Sequence, residues 1–162
     1  MIRNTLHYLD CAATTKPSGT AIEAMLHCMR TAYGNPSSLH KVGLTAQQEV
    51  DAARKSIADA LRVRPEEICF TSGATESNNL AIQGICAAYG RRRTKIITSA
   101  VEHASVRNTM RHMEQQGFTV VQIAPREDGT YAAEDFIQAA DAQTCLVSVM
   151  LVNNETGYQL PV

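Results

Sequence analysis

Segments with the apolar periodicity of a helix alternate along this chain with short runs rich in β-branched and apolar residues, and this alternation restricts the folds open to it. Helical spacing predicts helices at 17–32, 44–61, 75–89, 104–116 and 132–140. The runs between them predict strands at 68–71, 95–99, 118–123 and 144–152. The last run is almost wholly apolar, as strands buried on both faces of a parallel sheet tend to be. The pattern therefore predicts an α/β fold whose mostly parallel sheet is flanked by helices.

Composition argues against several classes of function. The 162 residues carry 15 basic and 16 acidic side chains, for a net charge of -1, so they show no electrostatic footprint for nucleic acid or an anionic membrane. No apolar run reaches the roughly 18 to 20 residues of a membrane span, and Asp10 makes the N-terminus a poor secretory signal. Five scattered cysteines favour free thiols in a reducing cytoplasm over a disulfide framework or a metal site.

The segment Phe70–Asn79, FTSGATESNN, is the first candidate for chemistry because it runs from a predicted strand through Ser-Gly into a helix. Gly73 would let the backbone turn tightly, and the small Ala74 would let a ligand approach the main chain. The free amides of the first helical turn and the helix dipole could then hold a phosphate, with the Thr75 hydroxyl as a further donor. An ordinary helix N-cap explains the same residues, so the segment alone leaves both interpretations open.

Two further polar groups follow predicted strands. His103 comes shortly after the second predicted strand, where a neutral imidazole could stack on a flat cofactor ring or exchange a proton; a structural histidine is the alternative. The segment VNNETG at 152–157 ends the last apolar run, and its amides suit a phenolic oxygen or a carboxylate, whereas a turn stabilised by an Asn side chain is the alternative. Ligands of open α/β sheets bind beyond the carboxyl ends of strands, so these groups and the Ser72-Gly73 turn are expected to share one crevice.

Several strings together resemble the start of the cysteine desulfurases, within the class V aminotransferase group. They are YLDCAATT at 8–15, GNPSS at 34–38 with His40, TSGATESNN at 71–79, Glu102-His103 and VNNETG at 152–157, in the order and at the spacing of that family. The resemblance runs from about Tyr8 to Val162. Cys11 stands where the family often has Asn or Tyr, and Leu160 where it commonly has Gln. Cys11 is not the expected sulfur carrier, because the family keeps that cysteine much further along the chain.

The resemblance implies a fold-type-I enzyme that uses pyridoxal 5′-phosphate (PLP) and is usually a homodimer. Such an enzyme converts L-cysteine to L-alanine and passes the sulfur on as a persulfide to an acceptor protein, such as an iron–sulfur scaffold, for iron–sulfur cluster or thio-cofactor assembly. By the same resemblance, Gly73–Thr75 binds the PLP phosphate and Asn154 bonds the phenolic oxygen. His103 stacks on the pyridine ring, assists proton transfer and is the expected catalytic residue. Asn35 is expected near the substrate or the dimer interface.

The resemblance also implies that residues 1–162 form an N-terminal segment and part of the PLP-binding large domain, with the rest of that domain and a C-terminal small domain absent. The family's Schiff-base lysine and persulfide cysteine lie beyond the VNNETG segment. None of the chain's own lysines sits where that lysine would, namely Lys16, Lys41, Lys55 and Lys95. The chain by itself is therefore expected to be inactive. A non-catalytic truncated paralogue that binds a full-length partner, and another class V enzyme such as a selenocysteine lyase, are the alternatives.

Overall fold

The computed structural model describes residues 7–162, which divide into two units, one ending at Phe70 and the other spanning Thr71–Val162. The first unit contains helices α1 (Gly19–Thr31) and α2 (Lys41–Leu61) and a 3-10 turn at Pro65–Glu67. The second contains, in chain order, α3 (Ala74–Tyr89), β1 (Lys95–Ser99), α4 (Ala104–Gln115), β2 (Thr119–Ile123), α5 (Ala133–Ala139) and β3 (Thr144–Ser148). Among the helices of residues 7–162, none combines the length and the apolar character that crossing a membrane requires.

Both helices of the first unit begin at side chains that cap their free amides. Ser18 Oγ accepts from the amide of Ala21 at 3.1 Å, and His40 Nδ1 accepts from the amide of Gly43 at 3.3 Å. The His40 cap starts α2 three residues before the start predicted at residue 44. The difference arises because apolar periodicity reports the buried face of a helix, whereas the cap determines its first turn.

The strand predicted at 68–71 is wrong. Ile68 has extended backbone dihedrals, φ −92° and ψ 122°, yet this segment belongs to none of the strands in the described part of the chain. The Ile68 carbonyl accepts from the Arg54 guanidinium, which also lies 4.8 Å from the centroid of the Phe70 ring. A side chain of α2 thus satisfies a backbone group that a neighbouring strand would otherwise bond.

The sheet of the second unit has three strands in the order β2-β1-β3, and β1 pairs with both neighbours in parallel. This confirms the predicted α/β fold with a parallel sheet flanked by helices. β3 ends at Ser148 instead of the predicted Val152. Beyond it, the Met150 amide donates to the Glu102 carboxylate and not to a neighbouring strand, and Val152 forms an isolated antiparallel bridge with Gln159. The long apolar run therefore contains both a strand and the start of the loop that follows it.

Alternating side chains of the central strand enter two apolar clusters. Ile96 lies in a cluster with buried residues of α3 and α4, namely Ile82, Cys86, Val106, Met110 and Met113. Ile97 lies in a second cluster with Tyr131, Phe136 and Leu160. Both isoleucines are fully buried, and successive residues of a strand point to opposite faces. β1 is therefore anchored on both faces, and this anchoring positions the residues that follow its carboxyl end, where His103 lies.

Candidate active site

The N-terminal turn of α3 is the first candidate site, and it begins after Gly73. Ser77 is the first residue whose amide bonds back along the helix, to the Gly73 carbonyl at 3.1 Å, because the amides at the start of a helix have no partner within it. A Cβ built on Gly73 meets nothing within 4 Å in the described chain apart from its sequence neighbours. Open space in front of unpaired amides, at the positive end of a helix, is suited to a phosphate.

The chain bends at Ser72-Gly73 before α3 begins, as the sequence predicted. The Gly73 backbone is nevertheless extended, with φ 160° and ψ −179°, so its conformation does not by itself require glycine, and the missing side chain matters for the open space. Ser72 donates to the Glu76 carboxylate from its hydroxyl at 2.6 Å and from its amide at 2.7 Å. These two bonds hold the pKa of Glu76 below its usual value. Ser72 is thus bonded to α3 itself, and the Thr75 hydroxyl is the side-chain donor left for a ligand.

His103 is the N-cap residue of α4. Its Nδ1 accepts from the amide of Ser105 at 3.1 Å and lies 2.9 Å from the Ser105 hydroxyl oxygen. The structural role that the sequence left open is therefore present, but it uses only one of the two ring nitrogens. Nε2 is the nitrogen left to meet a ligand.

A groove of about 340 Å³ lies beside His103. It is lined by the loop that leads from β1 to His103, by the start of α4 and by the loop after β3, with Glu102, Arg107 and Asn154 among the lining residues. The structure thus brings His103 and Asn154 together in one groove, beyond the carboxyl ends of β1 and β3 along the chain. This is the edge of an open α/β sheet at which ligands bind.

The loop after β3 is shaped by Asn153, which is 8% exposed. Its Oδ1 accepts from the amides of Glu155 and Thr156 at 3.0 and 2.9 Å, and its Nδ2 donates to the Val101 carbonyl at 3.0 Å. The turn stabilised by an Asn side chain is therefore present, and Asn153 builds it. The neighbouring Asn154 is exposed and lines the groove, so the two adjacent amides have separate tasks.

The Glu102 carboxylate makes a second connection between the loops that form the groove. It is 6% exposed, and its Oε1 accepts from the Met150 amide at 2.8 Å and from the Ser99 hydroxyl at 2.7 Å. Ser99 ends β1, and Met150 follows the end of β3. Because Glu102 immediately precedes His103, these bonds fix the backbone from which the imidazole extends.

The remaining predicted site residues are not among those that line this groove. Gly73, Ala74 and Thr75 are not among its lining residues, although Asn78 of α3 connects to it by donating from Nδ2 to Ser105 Oγ at 2.8 Å. Asn35 lies in the first unit, where its Oδ1 accepts from the amide at position 37 at 2.9 Å. A role for Asn35 near the substrate or the dimer interface stays a prediction.

Four supporting residues were missed from the sequence, namely Asn78, Glu102, Ser105 and Asn153. Each Asn belongs to a motif already singled out, but one sequence does not reveal which member of an Asn-Asn pair faces inward. Helical spacing could have indicated Asn78, because residues four apart share a helix face and Ile82 belongs to the core. Nothing comparable distinguished Ser105 from the other small polar residues of its helix.

Comparison with known proteins finds relatives along nearly the whole chain. Residues 7–162 match the family model Aminotransferase class-V. The mitochondrial cysteine desulfurase of Eremothecium gossypii is 44% identical over 156 residues, which cover 96% of this chain and 32% of that protein. The cysteine desulfurase IscS of Shewanella sediminis is 44% identical over 153 residues, which cover 93% of this chain and 38% of that protein. The chain therefore spans well under half the length of these curated relatives.

Solved structures with the same fold give a consistent result. A NifS-like protein superposes with a TM-score of 0.86 at 37% sequence identity, covering 94% of this chain and 42% of that one. The structure of SspA in complex with cysteine superposes with a TM-score of 0.85 at 37% identity, covering 95% of this chain and 44% of that one. The likeness thus holds in both sequence and fold.

Proposed function

Because this chain belongs to the aminotransferase class-V family, we propose that it is the N-terminal part of a PLP-dependent cysteine desulfurase. The activity would convert L-cysteine to L-alanine and pass the sulfur on as a persulfide. The groove that holds His103 and Asn154 together is the observation that carries the proposal. Relatives named as cysteine desulfurases, and a structural neighbour solved with cysteine, support the choice of substrate.

The residues of the second unit fit PLP in three respects. The open space at Gly73 and the first amides of α3, which have no partner within the helix, suit a phosphate. The flat imidazole of His103 suits a stacked pyridine ring, and the Asn154 amide can donate to a phenolic oxygen. When bound, PLP supplies an electron sink that stabilises negative charge at the carbon carrying the substrate amine.

Each of these residues then has a defined task. The first amides of α3 and the Thr75 hydroxyl bind and orient the phosphate, while the Asn154 amide orients the opposite side of the ring system. His103 exchanges a proton with the substrate through Nε2, because Nδ1 accepts from the Ser105 amide. Asn153 and Glu102 hold the two loops together, so the imidazole and the Asn154 amide keep their relative positions.

A homodimer in the cytoplasm and a sulfur-acceptor partner such as an iron–sulfur scaffold belong to the same proposal. The relatives support the acceptor, since they include IscS proteins. They do not decide the compartment, because some of them are named as mitochondrial. Sedimentation of the complete polypeptide tests the dimer, and transfer of radioactive sulfur from L-cysteine to a purified scaffold protein tests the acceptor. A monomer, or labelling of no acceptor, would remove the corresponding part of the proposal.

The 162-residue chain alone is expected to lack the activity. Lys95, the lysine of the second unit, begins β1, so it lies at the strand end opposite to the one that leads to His103. Its Nζ donates to the Ala139 carbonyl and lies 3.0 Å from an Asp141 oxygen. No lysine is among the residues that line the groove, and the covalent attachment of PLP needs one.

An alanine assay with L-cysteine and PLP tests the function. The complete encoded polypeptide, with any residues that follow Val162, is compared with the 162-residue chain, and the first is expected to form alanine. His103→Gln in the complete polypeptide should lower kcat by about 10² to 10⁴, the usual worth of a general acid–base. L-selenocysteine is assayed in parallel, and faster turnover of L-selenocysteine than of L-cysteine would identify a selenocysteine lyase. If the complete polypeptide forms no alanine, the non-catalytic paralogue becomes the better account.

A further inference from the structure

A directional chain of hydrogen bonds runs from α3 to the imidazole of His103. Asn78 Nδ2 donates to Ser105 Oγ at 2.8 Å, and that oxygen lies 2.9 Å from His103 Nδ1. The Ser105 amide also donates to Nδ1, at 3.1 Å. Ser105 is 7% exposed, so its hydroxyl is sheltered from water and depends on these two side chains for partners. We call Asn78, Ser105 and His103 the relay.

The donors of the relay determine which ring nitrogen carries the proton. An amide nitrogen can only donate, so the Ser105 oxygen accepts from Asn78 and directs its own proton to Nδ1. The backbone amide of Ser105 can only donate as well, so Nδ1 receives two donors and has no room for a proton of its own. If the Asn78 amide were turned over, its oxygen would accept the Ser105 proton, and the Ser105 backbone amide would remain as the donor to Nδ1. In the neutral ring the proton is therefore on Nε2, the nitrogen left to meet a ligand.

We propose that Asn78 and Ser105 are positioning residues that hold His103 in the Nε2–H tautomer, so that the imidazole meets the substrate as a proton donor. The inference rests on the proposed function, since the substrate is the one assigned there. Asn78 stands one turn inside the helix whose first amides would bind the phosphate, so the relay also couples the phosphate end of the site to the proton-transferring end. Neither residue touches the reacting atoms; both act through His103.

The tautomer can be measured without any turnover. When the histidine rings are labelled with ¹⁵N, the NMR chemical shifts of the ring nitrogens distinguish protonated from unprotonated ones. The signals that disappear in His103→Gln are those of His103. In the complete encoded polypeptide we expect His103 Nδ1 to be unprotonated and Nε2 to carry the proton. A ring with its proton on Nδ1 would overturn the proposal whether or not the protein forms alanine, so its failure is distinct from a failure of the proposed function.

Asn78→Asp is the most informative variant. A carboxylate at this position cannot donate and would accept the Ser105 proton, so Nδ1 loses one of its two donors. The ratio of Nε2–H to Nδ1–H tautomer should fall about fivefold, the effect of one ordinary hydrogen bond. Asn79→Asp is the matched control, because it adds the same charge to the next residue of α3, whose amide donates to the Thr75 carbonyl and not to Ser105. Equal tautomer ratios in the two variants would overturn the proposal.

Ser105→Ala provides the second test and replaces the first if Asn78→Asp does not fold. It removes the hydroxyl and should shift the tautomer in the same direction, while Ser105→Thr restores the hydroxyl and should restore the ratio. In Ser105→Ala, adding Asn78→Asp should change the ratio no further, because the relay is already broken. In the alanine assay each relay variant should lower kcat severalfold with little change in KM. A shifted tautomer with unchanged kcat, or a lower melting temperature with an unshifted tautomer, would show that these residues are only structural.

Discussion

Asn153 and Asn154 are adjacent and chemically identical, yet the structure gives them opposite environments. Asn153 is buried and bonded through both ends of its amide, whereas Asn154 is exposed at the groove. In Asn153→Asp a carboxylate oxygen would face the Val101 carbonyl in place of the Nδ2 donor. We expect the free energy of unfolding of Asn153→Asp to be about 1 to 3 kcal/mol lower than that of the parent. The free energy of unfolding of Asn154→Asp should stay within about 0.5 kcal/mol of the parent. Urea denaturation of both variants measures the difference, and equal losses would contradict the assignment.

Cys86 is a buried thiol that should be inert in the folded chain. Burial, with a smaller contribution from the neighbouring Cys145, raises its pKa to about 12. Since the thiolate is the reactive form, about a thousandfold less of it is present at pH 8 than for a cysteine of ordinary pKa. Iodoacetamide at pH 8 should therefore modify the exposed Cys11 and Cys69 long before Cys86, and mass spectrometry of peptides measures the order. In urea the modification rates of the three cysteines should become similar. Rapid modification of Cys86 in the native protein would show that the reagent reaches the core, which would contradict the burial of Cys86.

The residues that we propose to contact a ligand were more predictable from the sequence than those that support them. His103 and Asn154 stand out because polar side chains after apolar runs are unusual, and the structure places both in one groove. Ser105 and Asn153 act by bonding partners that are far away in sequence, such as Asn78 for the first and Val101 for the second. A hydrogen bond between residues that are distant in sequence is created by the fold, so no local sequence pattern predicts it.

At the scale of elements, α3 offers a matched pair of glycines. Gly84 lies inside the helix, where an added Cβ meets nothing within 4 Å. Gly90 follows the helix, where an added Cβ would lie 2.4 Å from the Cys86 carbonyl oxygen and 2.5 Å from the Phe118 ring. Gly84→Ala should raise the free energy of unfolding by about 0.5 to 1 kcal/mol, and Gly90→Ala should lower it by about 1 to 3 kcal/mol. Chemical denaturation decides, and the same sign for both variants would contradict the packing described.

The connection between α5 and β3 should make the second unit sensitive to acid. The hydrogen bond from Lys95, with a smaller contribution from the Gln143 amide, holds the pKa of Asp141 below its usual value. A carboxyl group whose pKa is lower in the folded chain than in the unfolded chain stabilises the fold at any pH above the unfolded-state pKa. This stabilisation is lost as the pH falls through the pKa of the folded state. Asp141→Asn should thus be less stable than the parent at pH 6 and approach it below about pH 4. Thermal unfolding across this range tests the point, and a constant gap would mean that Asp141 does not titrate with folding.

Helices were more predictable than strands for a physical reason. Each predicted helix starts and ends within three residues of an observed one, because a helix bonds within its own segment and its buried face repeats every turn. A strand depends on a neighbour. The run at 68–71 has the composition of a strand, but its Ile68 carbonyl is bonded by Arg54, whereas the run at 95–99 lies between β2 and β3 and forms the centre of the sheet.

At the scale of the whole molecule, large apolar side chains are exposed in both units. α1 has no buried residue, and Met25 and Met29 are 51% and 73% exposed. In the second unit, β3 stands at one end of the strand order, with Val147 47% exposed beside an open groove of about 230 Å³. Exposed apolar patches and free strand edges favour association between copies.

The 162-residue chain should therefore self-associate, and β3 should contribute to the contact. A lysine on an edge strand opposes pairing with another edge, so Val147→Lys should lower the average mass measured by light scattering at equal concentration. Thr119→Lys adds the same charge to an exposed position of β2, the strand at the other end of the order, and retains the apolar surface beside β3. If association uses β3, Val147→Lys reduces the mass and Thr119→Lys does not. Equal effects would implicate net charge, and a monomer at every concentration would show that the exposed apolar surface is too small to hold two copies together.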